Sequence, residues 1–513
     1  MTSAAGAVSG GNPLTVEAGL QALRLGGNAV DAAVAAKLMA TVCEPLLTGL
    51  AGGGLILCRI DGEVRILDCF SDVPGRGHAL DTPADMAAID LDFGPDTQRF
   101  FYGPGSVAVP ALAQGLWTLH QSYGRVPLAA LVKPAAEAAR AGVTVTPGLE
   151  LSISLLWPII QADPKLEAIF SGPDGGHARA GDRIFQRALA DTLERLAIEG
   201  PDFLTVGDGA EAMLRRLDGE GRMTAQDLAG YTPIWRRPLV GRYKGADVYV
   251  PGPPSQAGAL VLRTLSHLQA AGPVQAPLTG EHVAQLAAAM VQTEIARGGE
   301  WVQRMFESGF IEGWLAESDP MSTHGSGHTT HVSVTDGDGN AVAITSSLGE
   351  TAGMLVPETG LILNNFLGET DVNPVGPSGP LRPPGARLLT MCCPTLLAHD
   401  GGIHVMGSGG SSRIRSALLH GVVYAVDHKW PEDQIVAGPR CHYEGGVLRV
   451  EAAQRPTGFL EPLQGQFERV IVFDEPGLFF GGLHMAGWRP GDHGPVLSGA
   501  GDARRSGTTG QVG

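Results

Sequence analysis

Two segments of this 513-residue chain combine residue types and spacings that could do covalent chemistry, and a third has the outline of a metal loop. Thr329-Thr330-His331 follows a stretch rich in Ser, Thr, Gly and His (residues 322–328) and opens an alternating run. A hydroxyl placed there could act as a nucleophile, although Thr at that position is, taken alone, simply a good strand former. Gly407-Ser408-Gly409-Gly410-Ser411-Ser412 lies between a short apolar run and a helical pattern. Such a turn presents backbone N–H groups at a helix N-terminus, where an anion or an oxyanion can sit; by itself it reads first as a tight turn. Asp336-Gly337-Asp338-Gly339-Asn340 begins like a calcium loop, but its twelfth position is Ser347, not the bidentate Glu such a loop needs, so it reads as a hairpin turn. The glycine loop lacks the Gly-Lys-Ser/Thr ending of a P-loop, and no HExxH, zinc-spaced Cys/His pair or GxSxG elbow occurs. Nothing in the sequence asks for a metal or a cofactor.

The elements that must position these residues can be read from periodicity and punctuation. Pro13 to Leu25 has helical spacing, Gly26-Gly27 can supply a left-handed C-cap, and Asn28 can cap a second helix from Ala29 to about Thr41. Leu55 to Ile60 reads as a buried strand, Asp61-Gly62 as a hairpin turn and Glu63 to Asp68 as the returning strand. Residues 105–315 read as mainly helical. From His331 the pattern turns to strand: His331–Thr335, the turn, then Ala341–Ser347. Residues 372–387 read as a long loop, Ile403–Met406 as a strand and Ile414–Val426 as a helix. No repeat of 20–50 residues appears, and strands near both ends predict one sheet system assembled from distant parts of the chain.

Composition narrows the class. Hydrophobic residues make up 43% of the chain, enough for a large core, and the net charge of −17 argues against a general nucleic-acid or anionic-membrane binder. Only five residues are lysines, among them Lys37; the skew to Arg and the 73 glycines suggest a GC-rich bacterial genome. Six cysteines at irregular spacings do not make a disulfide framework. The polar, small-residue start and the lack of a long apolar run predict a cytoplasmic protein without a membrane span.

Asn12-Pro13-Leu14 with Glu17-Ala18-Gly19, then Gly26-Gly27-Asn28-Ala29-Val30-Asp31-Ala32-Ala33, resembles the N-terminal signature of the γ-glutamyltranspeptidase family of N-terminal-nucleophile hydrolases. Glu44-Pro45, Gly52-Gly53-Gly54, Ser106 to Pro110, Tyr123 to Pro127, Met223 to Leu228 and Pro253-Pro254-Ser255 continue the resemblance in order. Thr329 to Asp336 with Gly339 to Val342, Gly360 to Asn365, Pro394-Thr395 and Gly499 to Gly507 complete it. The resemblance implies an α+β fold, the αββα four-layer sandwich. It implies a precursor cut between His328 and Thr329 into residues 1–328 and 329–513, which stay together as one unit. Thr329 would then attack a carbonyl and form an acyl-enzyme released by water or an amine. The second hydroxyl falls on Ser347, where the family has Thr, and the oxyanion hole on the backbone N–H groups of Gly410 and Ser411, where it usually has two glycines.

The implied glutamate pocket departs from the family. The Arg of an Asp-x-Arg-Glu segment that grips the substrate α-carboxylate becomes Phe70 in Asp68-Cys69-Phe70-Ser71, removing a bidentate, charge-assisted clamp. The paired serines fall on Leu389 and Thr390, an Asn beyond the second hydroxyl on Gly349, the residue after the double Asn on Phe366, and the α-amino-binding Asp on Glu369. Arg76 and Arg387 are candidates to replace the lost cation. The pattern implies a small-molecule substrate that is less polar than a γ-glutamyl group. Relatives act as cephalosporin acylases, and others in bacterial antibiotic pathways that build alkylproline units, where the implied reaction is hydrolytic C–C cleavage beside a ketone. An ordinary γ-glutamyl transferase and a non-catalytic binding homologue are the alternatives. Retention of Thr329, Ser347 and the glycine loop argues against the second.

Overall fold

A computed structural model describes residues 4–77, 85–92, 97–316, 329–378, 382–452 and 456–513. Two antiparallel sheets form its centre. The first has seven strands in the order Thr508–Val512, Gly6–Gly10, Thr330–Asp336, Ala341–Ser347, Gly53–Ile60, Glu63–Cys69, Ile234–Arg236. The second has six, ordered Val496–Ala500, His484–Arg489, Gly402–Gly407, Thr395–His399, Ala246–Val250, Leu239–Tyr243. Each sheet takes strands from both sides of Thr329, which fits the expectation of one sheet system.

Strand alternation decides the layers. In the first sheet Val332, Val334, Val342, Ile344, Ile56 and Leu67 pack into a core with the helices Pro13–Arg24, Ala29–Cys43 and Leu128–Ala141. Their neighbours Ala7, Leu57, Ile66, Ala341 and Ala343 point the other way, against Leu396, Ile403, Val405 and Ala486 of the second sheet. The outer face of the second sheet buries Val248, Leu397, Met406 and Met485 under the helices Gln256–Ala270 and Arg413–Val426. The layers therefore run helix, sheet, sheet, helix, the αββα sandwich.

Local chemistry fixes the frame around the site. Asn28 and Asp31 form a reciprocal capping box on the helix Ala29–Cys43. Asp336, in the hairpin turn, accepts from the Ala29 N–H at 3.0 Å and binds the turn to that helix start. The stretch read as mainly helical is so, from Leu112–Tyr123 to Phe310–Ala316, but it also holds the strands Ile234–Arg236, Leu239–Tyr243 and Ala246–Val250, which that reading did not include. The second and third alternate in burial about a turn at Lys244 (φ 46°) and Gly245 (φ 90°). Among the described residues no helix is long and apolar enough to cross a membrane.

Candidate active site

The register of three strand pairs builds a row. Thr330 lies opposite Ser346, Ser347 opposite Gly53, and Gly54 opposite Cys69. Carried on by one residue, the same registers set Thr329 opposite Ser347 and Phe70 opposite Gly53. Thr329, Ser347, Gly53 and Phe70 thus cross the end of four adjacent strands, about 4.8 Å from one strand to the next. The alternation puts Thr329 on the face of His331 and Ser333, toward the second sheet. Ser333 Oγ donates to the Val405 carbonyl at 3.1 Å, which confirms that direction.

His331 is an anchor rather than a base. Its Nδ1 lies 2.8 Å from Thr345 Oγ1 and its Nε2 2.9 Å from Ser333 Oγ, in a fully buried position. Burial, with His484 close by, holds its pKa well below the usual imidazole value, so it stays neutral. Gly407 leaves room for this ring: a Cβ there would lie 2.3 Å from it.

The glycine loop meets Thr329 directly. A Cβ on Gly409 would lie 1.9 Å from the Thr329 carbonyl oxygen, so only glycine permits this approach. Arg505 Nη1 donates to the same oxygen at 3.1 Å. Gly410 has φ 103° and Ser411 φ 50°, and their carbonyls accept from Arg413 and Ile414 as the helix Arg413–Val426 begins. The N–H groups of Gly410 and Ser411 therefore sit at the N-terminal end of a helix beside Thr329, a favourable place for developing negative charge. Ser411 Oγ donates to Asp371, whose carboxyl is pushed up to about 8 by burial with Glu444 nearby, against the arginines 413, 297 and 415.

Beneath the row, Thr330 Oγ1 donates to Glu44 at 2.5 Å and Thr15 Oγ1 to the same carboxylate at 3.0 Å. Burial raises the Glu44 pKa against those bonds and the charge of Lys37. Lys37 Nζ is fully buried with no hydrogen-bond partner among the described residues, and burial lowers it to about 8.

At the far end of the row, Phe70 lies against Phe366 with ring centroids 4.7 Å apart. Both belong to a buried apolar cluster with Leu55, Ala108, Leu388 and Cys392. Leu388 joins these rings, whereas Leu389 packs into the core between the second sheet and its helices. Thr390 Oγ1 accepts from the Cys392 N–H at 3.0 Å. Gly349 has φ 71° and donates its N–H to Ser347 Oγ at 2.9 Å. A Cβ on Gly349 would lie 2.0 Å from Asn365 Oδ1 and 2.2 Å from Glu369 Oε1, so those side chains occupy the space an Asn would need. Burial, then Glu350 and Asp371, raise the Glu369 pKa well above the ordinary carboxyl value. Neither candidate cation stands in for the missing arginine here. Arg387 is held by Asp68 and Asp72, and Arg76 by Asp72 at 3.0 Å. His328 lies outside the described residues.

Residues 15–512 match the family described as gamma-glutamyltranspeptidase. The chain belongs to that family. It is 31% identical over 527 residues to the acylase ACY 1 proenzyme of Pseudomonas sp. (strain SE83), covering 98% of this chain and 93% of that protein. It is 27% identical over 510 residues to the glutathione hydrolase proenzyme of Escherichia coli (strain K12), covering 92% of this chain and 87% of that one. Among solved structures it shares the fold of a cephalosporin acylase from Bacillus halodurans at TM-score 0.78 and 23% identity, over 99% of this chain and 96% of the other. As a gamma-glutamyltranspeptidase-family enzyme of the N-terminal-nucleophile type, the chain carries its hydrolase or acyltransferase chemistry on this frame.

Several residues that shape the site were not singled out from sequence. Glu44 and Arg505 lie inside segments that carry the family resemblance, so their positions were marked but their roles were not. Asp371 and Lys37 carry no local signature. Their importance comes from what the fold places beside them.

Proposed function

We propose that the chain is a precursor that cuts itself before Thr329, and that the processed enzyme hydrolyses a carbonyl compound whose acyl side is apolar and not γ-glutamyl. In processing, Thr329 Oγ attacks the His328 carbonyl and the peptide C–N bond breaks to leave an ester. Water then splits the ester, giving the His328 carboxylate and a free Thr329 amine. The two products are residues 1–328 and 329–513, held together by the shared sheets. In turnover the α-amine, with an ordinary pKa of about 7.7–8.0, takes the hydroxyl proton as Oγ attacks the substrate carbonyl. The Gly410 and Ser411 N–H groups receive the oxyanion, and the proton passes to the leaving atom as its bond to the carbonyl carbon breaks. Water releases the acyl group as an acid.

The observation that carries the acyl assignment is the Phe70–Phe366 contact at the end of the Thr329 row, in place of a carboxylate clamp. That the acylase ACY 1 proenzyme is among the similar proteins agrees with it. A second reading is hydrolytic C–C cleavage beside a ketone in bacterial antibiotic metabolism, with a carbanion leaving group stabilised by conjugation. What supports it is the apolar, aromatic character of the Phe70–Phe366 cluster beside the Thr329 row, which would suit an unsaturated ring. A panel of p-nitroanilides tests the main reading: phenylacetyl and hexanoyl anilides should exceed the γ-glutamyl anilide in kcat/KM by about two orders of magnitude, equivalent to ~2.7 kcal/mol of transition-state binding. Preference for the γ-glutamyl compound would overturn it.

A further inference from the structure

Four arginines converge on a cleft of about 280 Å³ behind the strand end that carries Phe70. Three of them are already paired. Arg387 sits between Asp68 and Asp72 and lies over the Tyr231 ring, 4.5 Å from its centroid. Arg76 pairs with Asp72 at 3.0 Å and reaches Asp227 at 3.9 Å, and Arg236 pairs with Asp68 at 2.8 Å. The fourth, Arg382, has no carboxylate partner among the described residues. Its guanidinium carbon lies 3.3 Å from the centroid of Phe306, and its Nη1 is buried without a hydrogen-bond acceptor among those residues.

Charge and shape define what this cleft would accept. Four guanidinium groups face the three carboxylates of Asp68, Asp72 and Asp227, leaving one positive charge in a protein whose net charge is −17. Beyond Phe306 a neighbouring hollow carries Glu307 and Glu312 together with Arg236 and Arg237. The remaining lining of the cleft is Thr232, the glycines Gly230 and Gly385, and two apolar side chains, Phe306 and Ile234, the latter 40% exposed. An anion seated there can accept a charge-assisted N–H bond from the guanidinium while its carbon part lies beside Phe306 and Ile234.

We propose that this cleft is a binding site for a small organic carboxylate, held by Arg382 and backed by Phe306. It is separate from the Thr329 row and does not depend on the acyl assignment. Benzoate is the probe, titrated calorimetrically into the full-length protein, with benzamide and inorganic phosphate as controls. Benzoate should bind one to one, and benzamide and phosphate at least tenfold more weakly, because the site needs both the charge and the carbon face. Arg382→Gln should weaken benzoate about tenfold or more, the loss of a charge-assisted pair. Phe306→Ala should weaken it several-fold, and both variants should melt within a few degrees of the parent. Unchanged benzoate affinity in Arg382→Gln would overturn the site, as would benzamide binding equal to benzoate. Phosphate binding as tight as benzoate would overturn its preference for an organic acid.

Discussion

Phe70, at the strand end that continues the row of Thr329 and Ser347, stacks obliquely on Phe366, 4.7 Å between centroids and 35° between planes. Their contact closes with apolar carbon the place where the family resemblance implies a guanidinium. Phe70→Arg would bury a cation among Phe366, Leu55 and Leu388. The substitution should lower kcat/KM for apolar acyl anilides by at least tenfold, because a charge replaces a buried ring at the end of the Thr329 row. Activity toward a carboxylate-bearing acyl group should rise relative to the parent. Steady-state kinetics on the two substrate classes check both directions.

Ser347 Oγ accepts the Gly349 N–H at 2.9 Å and lies across the sheet from Thr329. Ser347→Ala removes a hydroxyl beside the nucleophile and leaves the backbone row intact. The account expects kcat to fall by about 10²-fold, in the range of a lost polar group that acts in the transition state. Ser347→Thr should retain most of the activity, since the hydroxyl stays. Single-turnover acylation measured on both variants separates this effect from substrate binding.

Lys37 is a buried cation without a hydrogen-bond partner among the described residues, and its pKa falls to about 8. Below pH 8 it carries a proton in both the folded and the unfolded chain, and its burial destabilises the fold in full. Between pH 8 and its unfolded value of 10.5 the folded chain releases the proton first, so stability rises with pH. Lys37→Met should therefore stabilise the protein at neutral pH by up to about 3 kcal/mol, with the gain shrinking above pH 8. Denaturant unfolding at pH 7 and pH 10 gives the comparison; an equal gain at both would contradict it.

Much of this frame is legible in the residues. Asn28 and its alanine-rich helix, the Asp61-Gly62 turn and the Asp336–Asn340 turn fall where local capping and turn chemistry put them. Those signals are short-range, and the fold agrees with them. The strands Leu239–Tyr243 and Ala246–Val250 were hidden because each is five residues long and lies within a helix-rich stretch. Their alternation and the Lys244-Gly245 turn were the available signal. The candidate nucleophile, its second hydroxyl and the glycine loop were legible through family resemblance, since a threonine in a strand says nothing alone. The exchange of Leu388 for Leu389 beside Phe70 is a one-residue matter of which face a side chain takes, and only packing decides it. Arg505, Asp371 and the Arg382 cleft depend on pairings across 40 to 180 residues or more, which no local pattern encodes.

Everything proposed for turnover requires a free amine on Thr329. The most direct measurement is the denatured intact mass of freshly purified parent protein beside Thr329→Ala. The account predicts two fragments from the parent, meeting between His328 and Thr329, and a single uncut chain from the variant. A parent that remains one chain while turning over substrate, or a cut at any other bond, would contradict it.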